Sequence, residues 1–311
     1  MDIISGTENL NGRGVSVALG NFDGLHIGHA AVLRNAVMHA DGAEPAVLMF
    51  RAHPQRLLSG KMPPRLLTES LRSQELRRMG IRRELYMDFP QVHTMSPEAF
   101  FYELLCGVLN VRAVSCGYNY RFGAGGAGDA ATLRTLCAQR GVALYVAECA
   151  EYGGQPVSSS RIRRAVADAA MEDVCRMLGR PFSYDFKVVS GDRRGRVLGF
   201  PTINQFFPAD YAVPKFGVYA ARAWVNGRYY PAMANIGVRP TIGTDSMRSE
   251  TCILGFSGDL YGKNVEVGLL HYLRPEQKFS GLGALTAQLT RDAEQSRRVF
   301  ESFCGSDPTE G

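Results

Sequence analysis

From Val15 to Gly20 the chain reads Val-Ser-Val-Ala-Leu-Gly, an almost continuous apolar stretch closed by a glycine, which predicts a buried strand ending in a turn. Between His29 and Asp41 the apolar positions change to helical spacing, and Pro45–Phe50 returns to a short apolar strand. Leu66–Met79 reads as a basic helix and Leu85–Phe89 as a third strand. Ser96-Pro97-Glu98 opens a further helix, with Ser96 as N-cap and Pro97 at the first helical position. Ala113–Cys116 and Ala143–Glu148 follow as strands, with a helix near Ala130–Arg140 between them. Strands alternating with helices predict a mostly parallel sheet with right-handed crossovers.

After about Pro181 the texture changes. Short β-prone runs at Asp185–Ser190, Gly217–Val225, Arg228–Ala234, Glu250–Phe256 and Asn264–Leu273 are separated by Gly, Pro, Asn and Asp turns. That pattern predicts an antiparallel barrel or sandwich. A terminal helix over Leu282–Phe300 follows. The expected division is two domains, residues 1–182 and 183–311, each long enough to bury its own core.

Composition narrows the classes of function. The chain is 45% apolar and 21% charged, ordinary globular values, with a net charge of +5 from 35 basic and 30 acidic residues. Its densest basic clusters, Arg77–Arg78, Arg82–Arg83 and Arg193–Arg194, are short, so no nucleic-acid partner is expected. The seven cysteines (106, 116, 137, 149, 175, 252 and 304) form no CxxC pair, which favours reduced thiols in a cytoplasmic protein. Met1–Arg13 carries no signal pattern and no apolar run is long enough to span a bilayer, so no membrane partner is expected.

The sharpest motif is Gly20-Asn21-Phe22-Asp23-Gly24-Leu25-His26-Ile27-Gly28-His29, placed where a strand hands over to a helix. Unpaired amides at a helix N-terminus attract phosphate, and two imidazoles three residues apart can donate to a triphosphate from one turn. Glycine at 28 permits close approach of a ligand to the backbone. An ordinary βα loop with capped surface histidines fits the same letters. The motif is neither a Walker A loop nor a GxGxxG fingerprint. His53-Pro54, Gly117–Gly123 (Gly-Tyr-Asn-Tyr-Arg-Phe-Gly) and Ser158-Ser159-Ser160-Arg161-Ile162-Arg163 each follow a predicted strand. All three can reach one sheet edge.

A second motif, Gly191-Asp192-Arg193-Arg194-Gly195-Arg196-Val197-Leu198-Gly199-Phe200-Pro201-Thr202-Ile203-Asn204, opens the β-rich half. Glycines 191, 195 and 199 around arginines, Arg196 among them, make a positively polarised loop suited to polyphosphate. Thr202 and Asn204, two apart in an extended segment, face one side and offer oxygens to one magnesium ion. A glycine-rich barrel turn leading into a strand is the structural alternative.

The ordered set GNFDGLHIGH, His-Pro, GYNYRFG and SSSRIR resembles the nucleotidyltransferase module of bacterial bifunctional riboflavin kinase/FAD synthetases. From about residue 184 to 300 the chain resembles riboflavin kinase, a six-stranded antiparallel barrel, through the glycine-arginine loop, Asn235–Thr241, Glu250, Asp259–Gly262 and Leu273–Glu276. The resemblance implies an α/β N-terminal nucleotidyltransferase domain with a Rossmann-like parallel sheet, followed by a β-barrel kinase domain with a terminal helix. It implies phosphorylation of riboflavin to FMN and adenylylation of FMN to FAD, with ATP as substrate and Mg2+ as cofactor. His26 and His29 would bind ATP phosphates and stabilise the transition state, and Gly20, Phe22, Asp23 and Gly28 of the same turn would contribute to binding ATP. Asn119 would contact the nucleotide or flavin phosphate region, and Ser159, Ser160 and Arg163 would hold the β- and γ-phosphates. Thr202 and Asn204 would bind Mg-ATP, and Glu250 would be the general base. The chain departs from the family at Ala52, at Gln155–Val157, at Ser160, which stands for a threonine, and at Cys252, which stands for a histidine. A chain in which only one module works, and a transferase with another phosphate-ester acceptor, are the competing readings.

Overall fold

The computed structural model describes residues 4–6, 14–51, 60, 62–191, 195, 198–241 and 244–306. Their contacts divide the chain into two compact units: Met1–Pro63 with Glu69–Ser158, and Pro64–Thr68 with Ser159–Gly311.

In the first unit the strands are β1 (Ile4–Ser5), β2 (Val15–Leu19), β3 (Glu44–Phe50), β4 (Arg83–Met87), β5 (Val111–Gly117) and β6 (Ala143–Ala147), followed by a hairpin of β7 (Glu151–Tyr152) and β8 (Gln155–Pro156). Its helices include α1 (Ile27–Met38), α2 (Glu69–Arg78) and α3 (Ala130–Arg140). The main sheet has the order β1-β4-β3-β2-β5-β6, parallel from β4 to β6 with only β1 antiparallel at its edge. Every residue of β2 is buried, as a central parallel strand covered on both faces requires. Val17, Leu19, Leu48, Leu85 and Val114 pack with Phe101 and Leu104 into its core. The expected parallel α/β sheet is therefore present, with α1 beginning at Ile27 rather than His29. Ser96 caps its helix as expected, accepting from the Ala99 amide at 3.1 Å.

The second unit holds α4 (Ser159–Ala167), α5 (Met171–Leu178), β9 (Phe182–Tyr184), β10 (Thr202–Phe206), β11 (Gly217–Val225), β12 (Arg228–Thr241), β13 (Thr244–Ile253), β14 (Glu266–Arg274) and α6 (Leu282–Ser306). Its strands form one antiparallel sheet, order β10-β13-β12-β11-β14-β9, a curled half-barrel. The segment after β9 draws its edges together: Lys187 bridges Asn264, and Val189 bridges Asn204. The strand expected over 185–190 is thus a short β9 followed by two bridges.

Two faces of this sheet are chemically distinct. On one, Tyr184, Phe186, Phe207 and Tyr211 cluster, and the buried Tyr184 hydroxyl donates to Ser249 at 2.7 Å. On the other lies α6, pinned by Asp292. Arg274 Nε and Nη2 donate to that carboxylate at 3.1 and 2.7 Å, and Gln288 donates at 2.8 Å. Asp292 is 2% exposed. Removing one member of such a pair strands the other charge in a dry site. Asp292→Ala is therefore expected to destabilise this unit by about 3–5 kcal/mol, read by urea unfolding.

Candidate active sites

The sheet order of the first unit fixes where a ligand can sit. From β2 the chain crosses through α1 to β3 on one side and returns to β5 on the other. The C-terminal ends of β2 and β5 thus flank a topological switch point, the crevice in which open α/β sheets bind ligands. The Gly20–His29 turn leaves β2 there, and Tyr118–Asn119 leaves β5 beside it.

The turn is held in an unusual shape. Phe22 and Leu25 adopt left-handed backbone conformations, φ 50° and 45°, and both side chains are buried. The Phe22 ring lies under Gly20, where a Cβ would come within 3.1 Å of it. Strain of this kind persists where the surroundings over-determine it, and such positions gather at functional sites. His26 is the N-cap of α1 and its Nδ1 accepts the His29 amide at 3.2 Å. A backbone amide can only donate, so His26 Nδ1 carries no proton and the neutral ring carries its proton on Nε2. The His26 and His29 rings stack at 3.6 Å, and Phe22 meets the His29 edge at 5.3 Å. A Cβ at Gly28 would lie 3.2 Å from the His26 ring and 3.6 Å from Ala150. Two stacked imidazoles thus stand beside the N-terminus of α1, where the helix dipole favours negative charge.

Asp23 is half-buried in this turn, and Asn119 is exposed with its side chain folded back toward Gly117. Ser159 and Ser160 form the first turn of α4, and Arg163 Nε donates to the Pro64 carbonyl at 2.6 Å; these three residues belong to the second unit. His53 and Pro54 lie outside the described residues.

In the second unit the register gathers the motif residues. Thr202 faces Cys252 across β10 and β13, and Asn204 faces Glu250; Glu250 in turn faces Asn235 on β12. Directly opposed residues share a sheet face, so Thr202, Asn204, Asn235, Glu250 and Cys252 belong to one surface. Over it, against α6, lies a cavity of about 290 Å³. Its walls are apolar on the side of Phe200, Met233, Leu285 and Leu289, and polar at Asn235, Glu250 and Glu276. A second cavity of about 300 Å³, bounded by Val188, Thr251, Phe256 and Asp259, shares Thr202 with the first.

Gly191 packs against Asn204: a Cβ there would collide with the Asn204 amide. Gly195 lies against the Phe200 carbonyl, and Gly199 has φ 79°, so two of the loop glycines are required by close approach and one by backbone conformation. Arg196 lies outside the described residues. Of the wall residues, Phe200 falls within the glycine-arginine motif, whereas Met233, Leu285 and Leu289 belong to no sequence motif. Leu285 and Leu289 stand four apart on α6, a helical spacing that was available as a signal. Burial pushes the Cys252 thiol up to about 11. In native protein at neutral pH, Cys252 is therefore expected to resist iodoacetamide and to react only once unfolded, as peptide mass spectrometry would read.

The chain thus holds two modules, an open parallel α/β sheet with a histidine turn at its switch point and an antiparallel half-barrel with a half-apolar cavity over Asn235 and Glu250. A sequence model of the FAD synthetase family matches residues 8–161, and one of the riboflavin kinase family matches residues 178–300. The bifunctional riboflavin kinase/FMN adenylyltransferase of Listeria monocytogenes is 35% identical over 91% of this chain and 92% of its own length. That of Escherichia coli K12 is 34% identical over 96% of this chain and 98% of its own. A crystal structure from Streptococcus pneumoniae described as a macrolide-efflux protein superposes with a TM-score of 0.83 at 28% identity, covering 94% of this chain and 97% of that one. The chain belongs to the bifunctional riboflavin kinase/FMN adenylyltransferase family, and with ATP as substrate it converts riboflavin to FMN and FMN to FAD. Among the described residues no helix is long and apolar enough to cross a membrane.

Proposed function

We propose that the two reactions run at the two sites just described, with residues 1–182 carrying the adenylyltransferase and 183–311 the kinase. The observation that carries the kinase assignment is the cross-strand cluster of Asn204 and Glu250 beneath a half-apolar cavity. The isoalloxazine of riboflavin fits the apolar wall of Phe200, Met233, Leu285 and Leu289. ATP takes the second cavity, bounded by Val188, Thr251, Phe256 and Asp259, and Gly191, Gly195, Arg196 and Gly199 are the loop residues that would meet its phosphates. Glu250 accepts the proton of the riboflavin 5′-hydroxyl as that oxygen bonds to the γ-phosphorus and the bond to ADP breaks.

Thr202 and Asn204 are the residues that would hold magnesium. Both donors are neutral oxygens on one face of β10, and among the described residues no cluster of three or more His, Cys, Asp or Glu could hold a metal. That donor set suits an ion that arrives on ATP phosphates and keeps most of its own ligands, rather than one caged by carboxylates. When bound, magnesium neutralises charge on the transferring phosphates.

In the transferase, His26 and His29 donate to the triphosphate beside the α1 N-terminus, within the turn of Gly20, Phe22, Asp23 and Gly28. The buried Phe22 ring shapes that turn and leaves its backbone to the ligand. Asn119 contacts the phosphate region of the nucleotide or flavin; Ser159, Ser160 and Arg163 hold the β- and γ-phosphates. An FMN phosphate oxygen bonds to the α-phosphorus, and the bond to pyrophosphate breaks. No covalent enzyme intermediate is needed, because positioning and fixed donors supply the stabilisation. Seven unbridged cysteines support a cytoplasmic setting.

The test is a pair of chromatographic time courses with ATP and magnesium, one from riboflavin and one from supplied FMN, for Glu250→Gln and for His29→Ala. Loss of both activities from either substitution in folded protein would remove the two-site assignment.

A further inference from the structure

Side chains alternate along a strand, so Arg248 and Glu250 project from the same face of β13. Arg248 Nη2 donates to Glu250 Oε1, an ion pair formed within the strand itself. The two side chains are 17% and 33% exposed. An open surface pair would contribute little. This one is shielded, and it binds a carboxylate that lines the cavity against α6. Across the ladder Arg248 faces Phe206 on β10 and Gly237 on β12, and the Glu276 carboxylate that lies over Gly237 accepts from Asn235 at 3.0 Å.

A carboxylate has two oxygens and turns freely about its last bond unless something fixes it. One guanidinium N–H on Oε1 fixes it and leaves Oε2 for the hydroxyl that must lose its proton. We infer that Arg248 is a positioning residue for riboflavin phosphorylation: it touches no reacting atom, and it holds the Glu250 carboxylate in the orientation that receives the substrate hydroxyl. This inference rests on the reading of Glu250 as the base.

The experiment is steady-state kinetics of riboflavin phosphorylation by the full chain carrying Arg248→Met, Arg248→Lys, Glu250→Gln, or Arg248→Met with Glu250→Gln. Adenylylation of supplied FMN serves as the folding control. A small misplacement of a catalytic group costs up to about a hundredfold. Arg248→Met is therefore expected to lower kcat about tenfold to hundredfold with KM for riboflavin within about twofold. Arg248→Lys, which retains a donor cation, should recover part of the loss. In the Glu250→Gln background, Arg248→Met should add almost nothing, because the group it positions is gone. If Glu250→Gln abolishes phosphorylation but Arg248→Met leaves kcat unchanged or raises it, the positioning role is wrong and the base stands. The role is equally wrong if Arg248→Met changes KM alone, or loses FMN adenylylation in parallel. If Glu250→Gln itself keeps the full rate, the base assignment has failed first.

Discussion

Glu250→Gln is expected to cut riboflavin phosphorylation by about 10²–10⁴-fold, the usual contribution of a positioned general base. Gln keeps the shape of the side chain and an oxygen that can accept from Arg248, so the strand and the cavity stay as they are. What it loses is the ability to take a proton. The fall should appear in kcat, with KM for riboflavin little changed, because the interaction removed is made in the transition state rather than with the bound flavin. FAD formation from supplied FMN should continue at the rate of the unaltered chain. Chromatographic separation of riboflavin, FMN and FAD reads both activities in one experiment, and thermal unfolding checks the fold. A variant that phosphorylates at full rate would require another group to remove the proton.

The reach of that experiment depends on how the cluster is built, and much of the building was legible in the letters. Apolar runs marked the five parallel strands because a strand buried on both faces is nearly all apolar; in β2 only Ser16 interrupts the run. Glycine and proline punctuation gave the antiparallel texture of the second half. Register is another matter. Asn204 and Glu250 are 46 positions apart, and only the antiparallel pairing of β10 with β13 sets them opposite each other. Period-two alternation says which residues share a face of one strand, but not which strand lies alongside. The family resemblance assigned both residues to one kinase site without giving the strand pairing, which the fold supplies.

The helices α4 and α5 show a different limit. α4 and α5 are nine and eight residues long, and the hydroxyls of Ser158–Ser160 are a helix-start signal that says nothing of where either element ends. Short segments give weak periodic signals, and neighbours in the fold decide them. The contacts also group α4 and α5 with the barrel strands, and with them the strap Pro64–Thr68. Arg65 reaches Asp210 at 3.0 Å and Thr68 donates to Asp185 at 2.5 Å, contacts separated by more than 100 positions in the chain. Composition changes near 181 because the strands begin there, whereas compactness follows contacts of this kind. The Cys252 position shows what a single letter does convey. A thiol replaces the family's histidine, and in the fold it joins Met233, Leu254 and Ala293 in an apolar cluster. Its place there is a packing one, beside but not part of the charged edge.

His29→Ala is expected to lower FAD formation from FMN by about 10²–10³-fold while leaving FMN formation intact, the cost of removing one preorganised donor from a developing charge. Of the two histidines it is the cleaner probe. The His29 backbone amide, not its ring, completes the cap with His26 Nδ1, so alanine keeps that hydrogen bond. His26→Ala removes a phosphate donor and the cap together, and should cost about 1 kcal/mol of stability in addition to activity. Comparing the two therefore separates chemistry from local folding: a large activity loss with unchanged unfolding for His29→Ala, and a loss of both for His26→Ala. The stacking of the rings at 3.6 Å adds a further expectation. Substituting both should cost less than the product of the single losses, because each ring orients the other. Strictly multiplicative losses would mean that the histidines act on separate phosphates as independent donors, and that the stacked pair is a packing arrangement without a shared role in catalysis.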